Sequence, residues 1–94
     1  MNANTTVEIV NKKGLHARAA AKFVKTVSSF DAEVLVTKLG QEDLPSVSGA
    51  SILGLMMLGA DPNSRLTINA MGAQAEAVVA ALKELIENKF GEGE

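Results

Sequence analysis

The chain has 94 residues, of which 47% are hydrophobic, and a formal net charge of −2. This composition supports one small core, so we expect a single domain over residues 1–94 with frayed ends at 1–4 and 91–94. The lack of cysteine excludes disulfides and thiolate metal sites, and the single histidine argues against a transition-metal centre, so we predict no metal.

Charge is distributed unevenly along the chain. Residues 1–38 contain six Lys or Arg and three Asp or Glu, a net of +3, whereas residues 39–94 contain three and eight, a net of −5. This division favours a basic docking face. With three phenylalanines and no tyrosine or tryptophan for base stacking, we expect no nucleic-acid partner.

No membrane-targeting signal is evident. Residues 1–6 lack the basic and apolar regions of a secretory signal, and the nearly uncharged stretch 44–60 is interrupted by proline, serines and glycines. We therefore expect a cytoplasmic protein with no membrane partner.

The first half of the chain predicts strand, helix and strand. Thr6–Val10 alternates apolar and polar residues, as a half-buried strand does. Ala17–Ser28 has apolar residues at helical spacing and a mostly basic opposite face. Residues 32–37 alternate again, and a weaker extended piece lies between residues 42 and 47, where Pro45 suits an edge strand.

The second half predicts helix, strand and helix. Residues 52–58 form an apolar run that is preceded by serine, a helix start signal, and followed by Gly59, a stop signal. Ser48 and Ser51 are both candidate caps. Residues 66–70 alternate, and Ala73–Lys89 has clear helical periodicity. The order β-α-β-β-α-β-α predicts an α+β fold, an open-faced β-sandwich whose four-stranded antiparallel sheet is covered on one face by three helices.

The stretch from Asn11 to Ala19 joins the first strand to the first helix and contains the only histidine. Gly14 gives the backbone freedom that a tight turn needs, and His16 falls at or beside the helix start. Helix N-termini attract anions, and Arg18 adds a guanidinium suited to phosphate. Because neutral imidazole is a good nucleophile near neutral pH, this stretch predicts a histidine that carries a phosphoryl group.

These features resemble the HPr family, the histidine phosphocarriers of the bacterial phosphoenolpyruvate-dependent phosphotransferase system. The likeness lies in Gly-Leu-His-Ala-Arg at 14–18, in the order of elements and in Ser-Ile-Leu-Gly-Leu-Met-Met-Leu-Gly at 51–59. It runs from about residue 6 to residue 89. The Gly-Leu-His-Ala-Arg-Ala form and the Met-rich short helix are closer to the nitrogen-related branch, often called NPr.

The resemblance implies roles for particular residues. His16 matches the histidine that takes the phosphoryl group on Nδ1 from enzyme I and passes it to an EIIA-type protein, with no bound cofactor. Arg18 and the backbone of Ala17 would hold the phosphate, and Ser51 matches a serine that HPr kinase/phosphorylase modifies in some branches. The chain would act as a monomer and as a protein substrate, not as an enzyme. The family's docking surface maps to Ala21, Lys25, Ile52, Leu53, Met56 and Met57.

Two departures from the family pattern stand out. Ala19 occupies a position where many members have proline, which predicts a slightly looser first helical turn. The segment between the second strand and Ser51 is a few residues longer than is typical.

Other functions are open at this level. A regulatory module that docks partners, with phosphorylation as a modifier, is the alternative. An acyl or peptidyl carrier with its prosthetic group on Ser51 is a weaker rival, because no aspartate precedes this serine and strands contradict an all-helical carrier.

Overall fold

The computed structural model describes residues 1–92. Within this range four strands, three α-helices and a C-terminal turn at Lys89–Gly91 follow one another along the chain. In chain order they are β1 (Asn2–Glu8), α1 (Ala17–Ser28), β2 (Glu33–Lys38), β3 (Val47–Ser48), α2 (Ile52–Met57), β4 (Arg65–Met71) and α3 (Ala75–Glu87).

The strands form one antiparallel sheet in the order β1-β4-β2-β3. Alternation along β4 buries Leu66, Ile68 and Ala70 and leaves the intervening side chains on the other face exposed or half-buried. The helices cover the buried face, and the core is continuous from Val7 on β1 to Phe23 on α1. The predicted α+β open-faced sandwich is confirmed.

The edge strand β3 has only two residues, Val47 and Ser48, which pair with Val36 and Leu35. Pro45, just before them, has no N–H to donate to a ladder. The sequence predicted the edge position of this strand but placed it too early, because only Val47 falls within the predicted range of 42–47.

Residues 1–4 and residues 91 and 92 differ from the prediction of frayed ends. β1 begins at Asn2, which pairs with Met71, whereas the alternation pointed to a strand over 6–10 preceded by a frayed end at 1–4. At the other end, Gly91 and Glu92 close hydrogen-bonded turns, although the prediction placed 91–94 in a frayed tail. Residues 93 and 94 lie outside the described residues. Pairing with a distant strand leaves no local sequence pattern, which explains the first error.

None of the helices in residues 1–92 is long and apolar enough to cross a membrane.

Candidate functional site

The turn that leads into α1 requires glycine. Gly14 has φ +66°, in the left-handed region, and a Cβ on it would lie 2.5 Å from the carbonyl oxygen of Ala60. The next residue, Leu15, donates its N–H to that same oxygen at 3.0 Å. Residues 14 and 15, just before α1, therefore pack against Ala60, which follows α2.

His16 is the N-cap of α1. Its backbone is extended (φ −82°, ψ −177°), and its carbonyl accepts the first helical hydrogen bond from Ala20 at 2.8 Å. Its ring nitrogen Nδ1 accepts a long hydrogen bond, 3.3 Å, from the N–H of Arg18. The side chain is 26% exposed. One ring nitrogen thus faces the amides at the start of the helix, where negative charge is favoured.

The other ring nitrogen of His16, Nε2, pairs with the Oε2 atom of Glu92. The second carboxylate oxygen of Glu92 accepts a hydrogen bond from the side-chain amide of Asn11 at 3.0 Å. Asn11 is fully buried and also donates to the carbonyl of Gly14 at 2.8 Å. A carboxylate from the end of the chain is therefore fixed between the histidine and the turn that precedes it.

The surroundings of Glu92 favour its ionised form. Partial burial by itself would raise the pKa of this carboxyl. Hydrogen bonds with His16 and Asn11, and the positive charges of His16 and Lys13, outweigh that effect and lower the pKa of Glu92 below its ordinary value.

Three consecutive residues with positive φ carry the chain back to the site: Lys89 (57°), Phe90 (54°) and Gly91 (75°). For the two non-glycine residues this conformation costs roughly 1–2 kcal/mol each. Burial of the Phe90 side chain, which is 1% exposed, contributes about 1.5–3 kcal/mol and offsets this conformational cost. Lys22 Nζ also donates a hydrogen bond to the carbonyl of Phe90 at 2.6 Å.

A cleft of about 290 Å³ is lined by Lys13, Arg18, Lys22, Gly91 and Glu92. Two of these residues, Arg18 and Glu92, also contact the ring of His16. The three cationic side chains of the cleft make it suitable for an anion, and the exposed guanidinium of Arg18 can donate two parallel hydrogen bonds to phosphate oxygens. Within residues 1–92, no group of three His, Cys, Asp or Glu side chains is placed to hold a metal ion.

Helix α2 begins with Ser51 as its N-cap, whose Oγ accepts from the N–H of Gly54 at 2.9 Å. The competing candidate, Ser48, instead accepts from Ala50 at 3.1 Å, just before the helix. The hydroxyl of Ser51 is half-buried, and Gly59 ends the helix region with φ +64°.

The predicted docking residues are accessible. Leu53 and Met57 on α2 are 69% and 76% exposed, whereas Leu55 points into the core and is fully buried. α2 packs beside α1, so both helices contribute to one face of the molecule. The remaining members of the predicted surface are also exposed: Ala21, Lys25, Ile52 and Met56.

Sequence reasoning missed Glu92, the hydrogen bond from Lys22 to the carbonyl of Phe90 and the role of Asn11. Phe90, four residues after Ile86, continues the apolar series of α3 and was the one local sign that the chain stays packed beyond the helix. Nothing local indicates that Glu92 reaches a histidine 76 positions earlier.

The antiparallel sheet is covered by helices, and the only histidine of the chain caps α1, whose Arg18 lines a basic cleft. This arrangement defines a small protein that can carry a phosphoryl group on imidazole. Comparison with known proteins agrees: the family model for the PTS HPr component phosphorylation site matches residues 3–88. The chain belongs to the HPr family of phosphocarrier proteins of the phosphotransferase system.

Named relatives extend over almost the whole chain. The phosphocarrier protein HPr of Neisseria meningitidis serogroup A is 46% identical over 95% of this chain and 96% of its own length. The phosphocarrier protein NPr of Shewanella violacea is 41% identical over 92% of this chain and 90% of its own. A crystal structure of HPr from Thermoanaerobacter tengcongensis matches with a TM-score of 0.85 and 42% identity, covering 96% of this chain and 97% of that one.

These relatives are phosphocarriers, so the resemblance inferred from the sequence is confirmed, and the chain is a carrier in a phosphoryl relay rather than a catalyst. Neither the docking-module alternative nor a prosthetic-group carrier is favoured. The family implies that it interacts with enzyme I and EIIA-type proteins of that system.

Proposed function

We propose that His16 accepts a phosphoryl group on Nδ1 from an enzyme I-type donor and passes it to an EIIA-type acceptor. The observation that carries this proposal is the position of the ring as the N-cap of α1, with Nδ1 beside the Arg18 amide. The Nδ1 lone pair forms the bond to phosphorus, and the electron pair of the donor's bond to phosphorus leaves with the donor.

Arg18 and the backbone of Ala17 are proposed to hold the transferred phosphate. Its oxygens carry negative charge, which favours the amides of the first helical turn and the exposed guanidinium. Each helix-end interaction is worth about 0.3–1 kcal/mol at an exposed position. Stabilisation of this size suits a relay, because the carrier must release what it accepts, and the partner enzyme supplies the rest of the transition-state stabilisation.

The deciding experiment compares His16→Ala with the wild-type chain in phosphoenolpyruvate-dependent labelling by an enzyme I-type donor. We expect acid-labile label on the wild type and none on His16→Ala, with an unchanged far-UV circular dichroism spectrum. Lys12→Ala, at an exposed residue that does not line the cleft, is the matched control and should be labelled normally. Label that persists on His16→Ala would contradict the proposal.

We propose that the donor belongs to the nitrogen-related branch. Support comes from the Gly-Leu-His-Ala-Arg-Ala form at 14–19, the Met-rich α2 and the likeness to an NPr. Parallel labelling with a sugar-type and a nitrogen-type enzyme I tests this, and we expect faster labelling by the nitrogen-type enzyme. Faster labelling by the sugar-type enzyme would contradict it.

Ser51 is proposed as a regulatory phosphorylation site for a kinase of the HPr kinase/phosphorylase type. Its Oγ is half-buried at the start of α2, next to the exposed Ile52 and Leu53. A phosphate here would add about −1.5 to −2 charges beside the docking surface and repel an acidic partner. Incubation with ATP and the kinase, followed by phosphosite mapping, tests the assignment, and phosphate on a different serine would contradict it.

We further propose that the carrier acts as a monomer in the cytoplasm. A face that must dock successive donors and acceptors has to remain uncovered, and self-association through it would compete with both. Light scattering at increasing concentration tests the monomer, with one mass throughout as the expected result.

A further inference from the structure

We propose that Glu92 is a positioning residue for phosphoryl transfer: its carboxylate holds the protonated Nε2 of His16 and so keeps the Nδ1 lone pair available to the incoming phosphorus. This inference rests on the proposed role of His16 as the phosphoryl acceptor.

Contacts on both sides of the ring select the same tautomer. A neutral imidazole carries one proton, and the partner of each nitrogen decides where it lies. An ionised carboxylate only accepts hydrogen bonds, so Glu92 Oε2 requires the proton on Nε2. On the other side, the N–H of Arg18 donates to Nδ1, which requires a lone pair there.

The carboxylate is itself held in place. Its second oxygen accepts from the buried amide of Asn11, and the backbone N–H of Glu92 donates to the carbonyl of Lys89 at 2.9 Å. Phe90, two residues before Glu92, is fixed by its burial in the core and by the hydrogen bond that Lys22 Nζ donates to its carbonyl. Strained left-handed backbone that persists because its surroundings fix it is found preferentially at functional sites.

As the Nδ1–phosphorus bond forms, the bond between phosphorus and the donor breaks and its electron pair leaves with the donor. The proton stays on Nε2, and the positive charge that the ring acquires faces the Glu92 carboxylate, as an imidazolium faces the aspartate of a catalytic triad. Transfer to the acceptor reverses these changes and returns the lone pair to Nδ1.

The test compares Glu92→Ala with Glu87→Ala, a matched control at an exposed residue at the end of α3. With one histidine in the chain, ¹⁵N-labelled protein gives a single set of ring signals. Spectra of the wild type and of both variants are recorded over the same series of pH values and compared at each pH. We expect a slowly exchanging Nε2–H signal in the wild type and in Glu87→Ala, and its loss in Glu92→Ala.

Kinetics with the enzyme I-type donor supply the second readout. We expect kcat/KM of Glu92→Ala to fall about three- to tenfold, mainly through kcat, with KM changed by less than about twofold. An unchanged ring spectrum or an unchanged kcat in Glu92→Ala would overturn the inference. Mapping the phosphate on the wild type separates the two proposals: phosphate on another residue refutes the role of His16, whereas the ring spectrum tests the Glu92 contact independently of labelling.

Discussion

A histidine at a helix N-cap can turn only one ring nitrogen toward the helix amides. In His16 that nitrogen is Nδ1, and the opposite nitrogen meets Glu92. The ring is thus held between the positive end of α1 and a carboxylate, and its 26% exposure leaves it open to a partner. At the scale of single residues, the proposed nucleophile is contacted on both of its ring nitrogens.

The Glu92 contacts predict how stability depends on pH. Because the folded-state pKa of Glu92 is lowered from 4.5, the unfolded chain binds this proton more readily. The stabilisation is therefore fully present above about pH 4.5 and is lost as the pH falls through the lower folded-state value. We expect the difference in unfolding free energy between the wild type and Glu92→Gln to shrink on acidification below that range.

Urea unfolding of both proteins at a series of pH values measures this difference. Glu87→Gln corrects for the loss of one negative charge, since it lies exposed at the end of α3. A difference that stays constant down to the acid transition would mean that the Glu92 contacts do not form in solution.

At the scale of elements, the start of each functional helix is set by a side chain. His16 caps α1 and Ser51 caps α2, each with a side-chain acceptor for a first-turn amide. The turn that leads into α1 is fixed by Gly14, where no other residue fits. Ala19, where many family members have proline, is fully buried in the first turn of α1, so its methyl group packs in the core.

The cap of α2 predicts the stability of a Ser51→Ala variant. Removing the acceptor for the Gly54 amide should cost about 1 kcal/mol, within the usual range of about 0.5–2 kcal/mol for cap deletions. Ser46→Ala, at an exposed residue before β3, should change the unfolding free energy by less than about 0.5 kcal/mol. Equal urea midpoints for the two variants would contradict the cap assignment.

At the scale of the whole molecule, the exposed apolar residues of α2 lie beside α1, whose N-cap is the histidine. Flexible methionine side chains adapt to more than one partner surface. Lys25, exposed on α1, adds positive charge that suits a partner rimmed by carboxylates. We expect one face of the molecule to serve both donor and acceptor.

This expectation predicts the effect of Met57→Ala and Leu53→Ala on transfer. Each should lower kcat/KM with the enzyme I-type donor by about fivefold or more, because truncation of a docking anchor costs more than about 1 kcal/mol. Stability should change by less than about 0.5 kcal/mol, since both side chains are exposed. Met71→Ala, at an exposed methionine on the uncovered face of the sheet, is the matched control. Equal losses at Met57 and Met71 would contradict a localised docking face.

Local patterns predicted the fold and the position of His16 at the start of α1. Two-residue alternation predicted the strands, helical spacing placed α1 at the observed residues, and serine and glycine bounded α2. The ends were less accurate: α3 spans Ala75–Glu87 instead of 73–89, and β1 starts at Asn2. Boundaries of this kind depend on neighbours in space, such as the Met71 partner of Asn2.

By itself the sequence determined that the only histidine follows a glycine turn at the start of a helix. The signals for the turn, the cap and the helix lie next to one another in the sequence, so they can be recognised without the fold. The tertiary structure alone decided what faces the other side of that ring. Glu92 is 76 residues from His16 and 81 from Asn11, and the three meet because Phe90 is buried in the core and turns the chain end back. Contacts at that separation depend on packing, which no local pattern encodes.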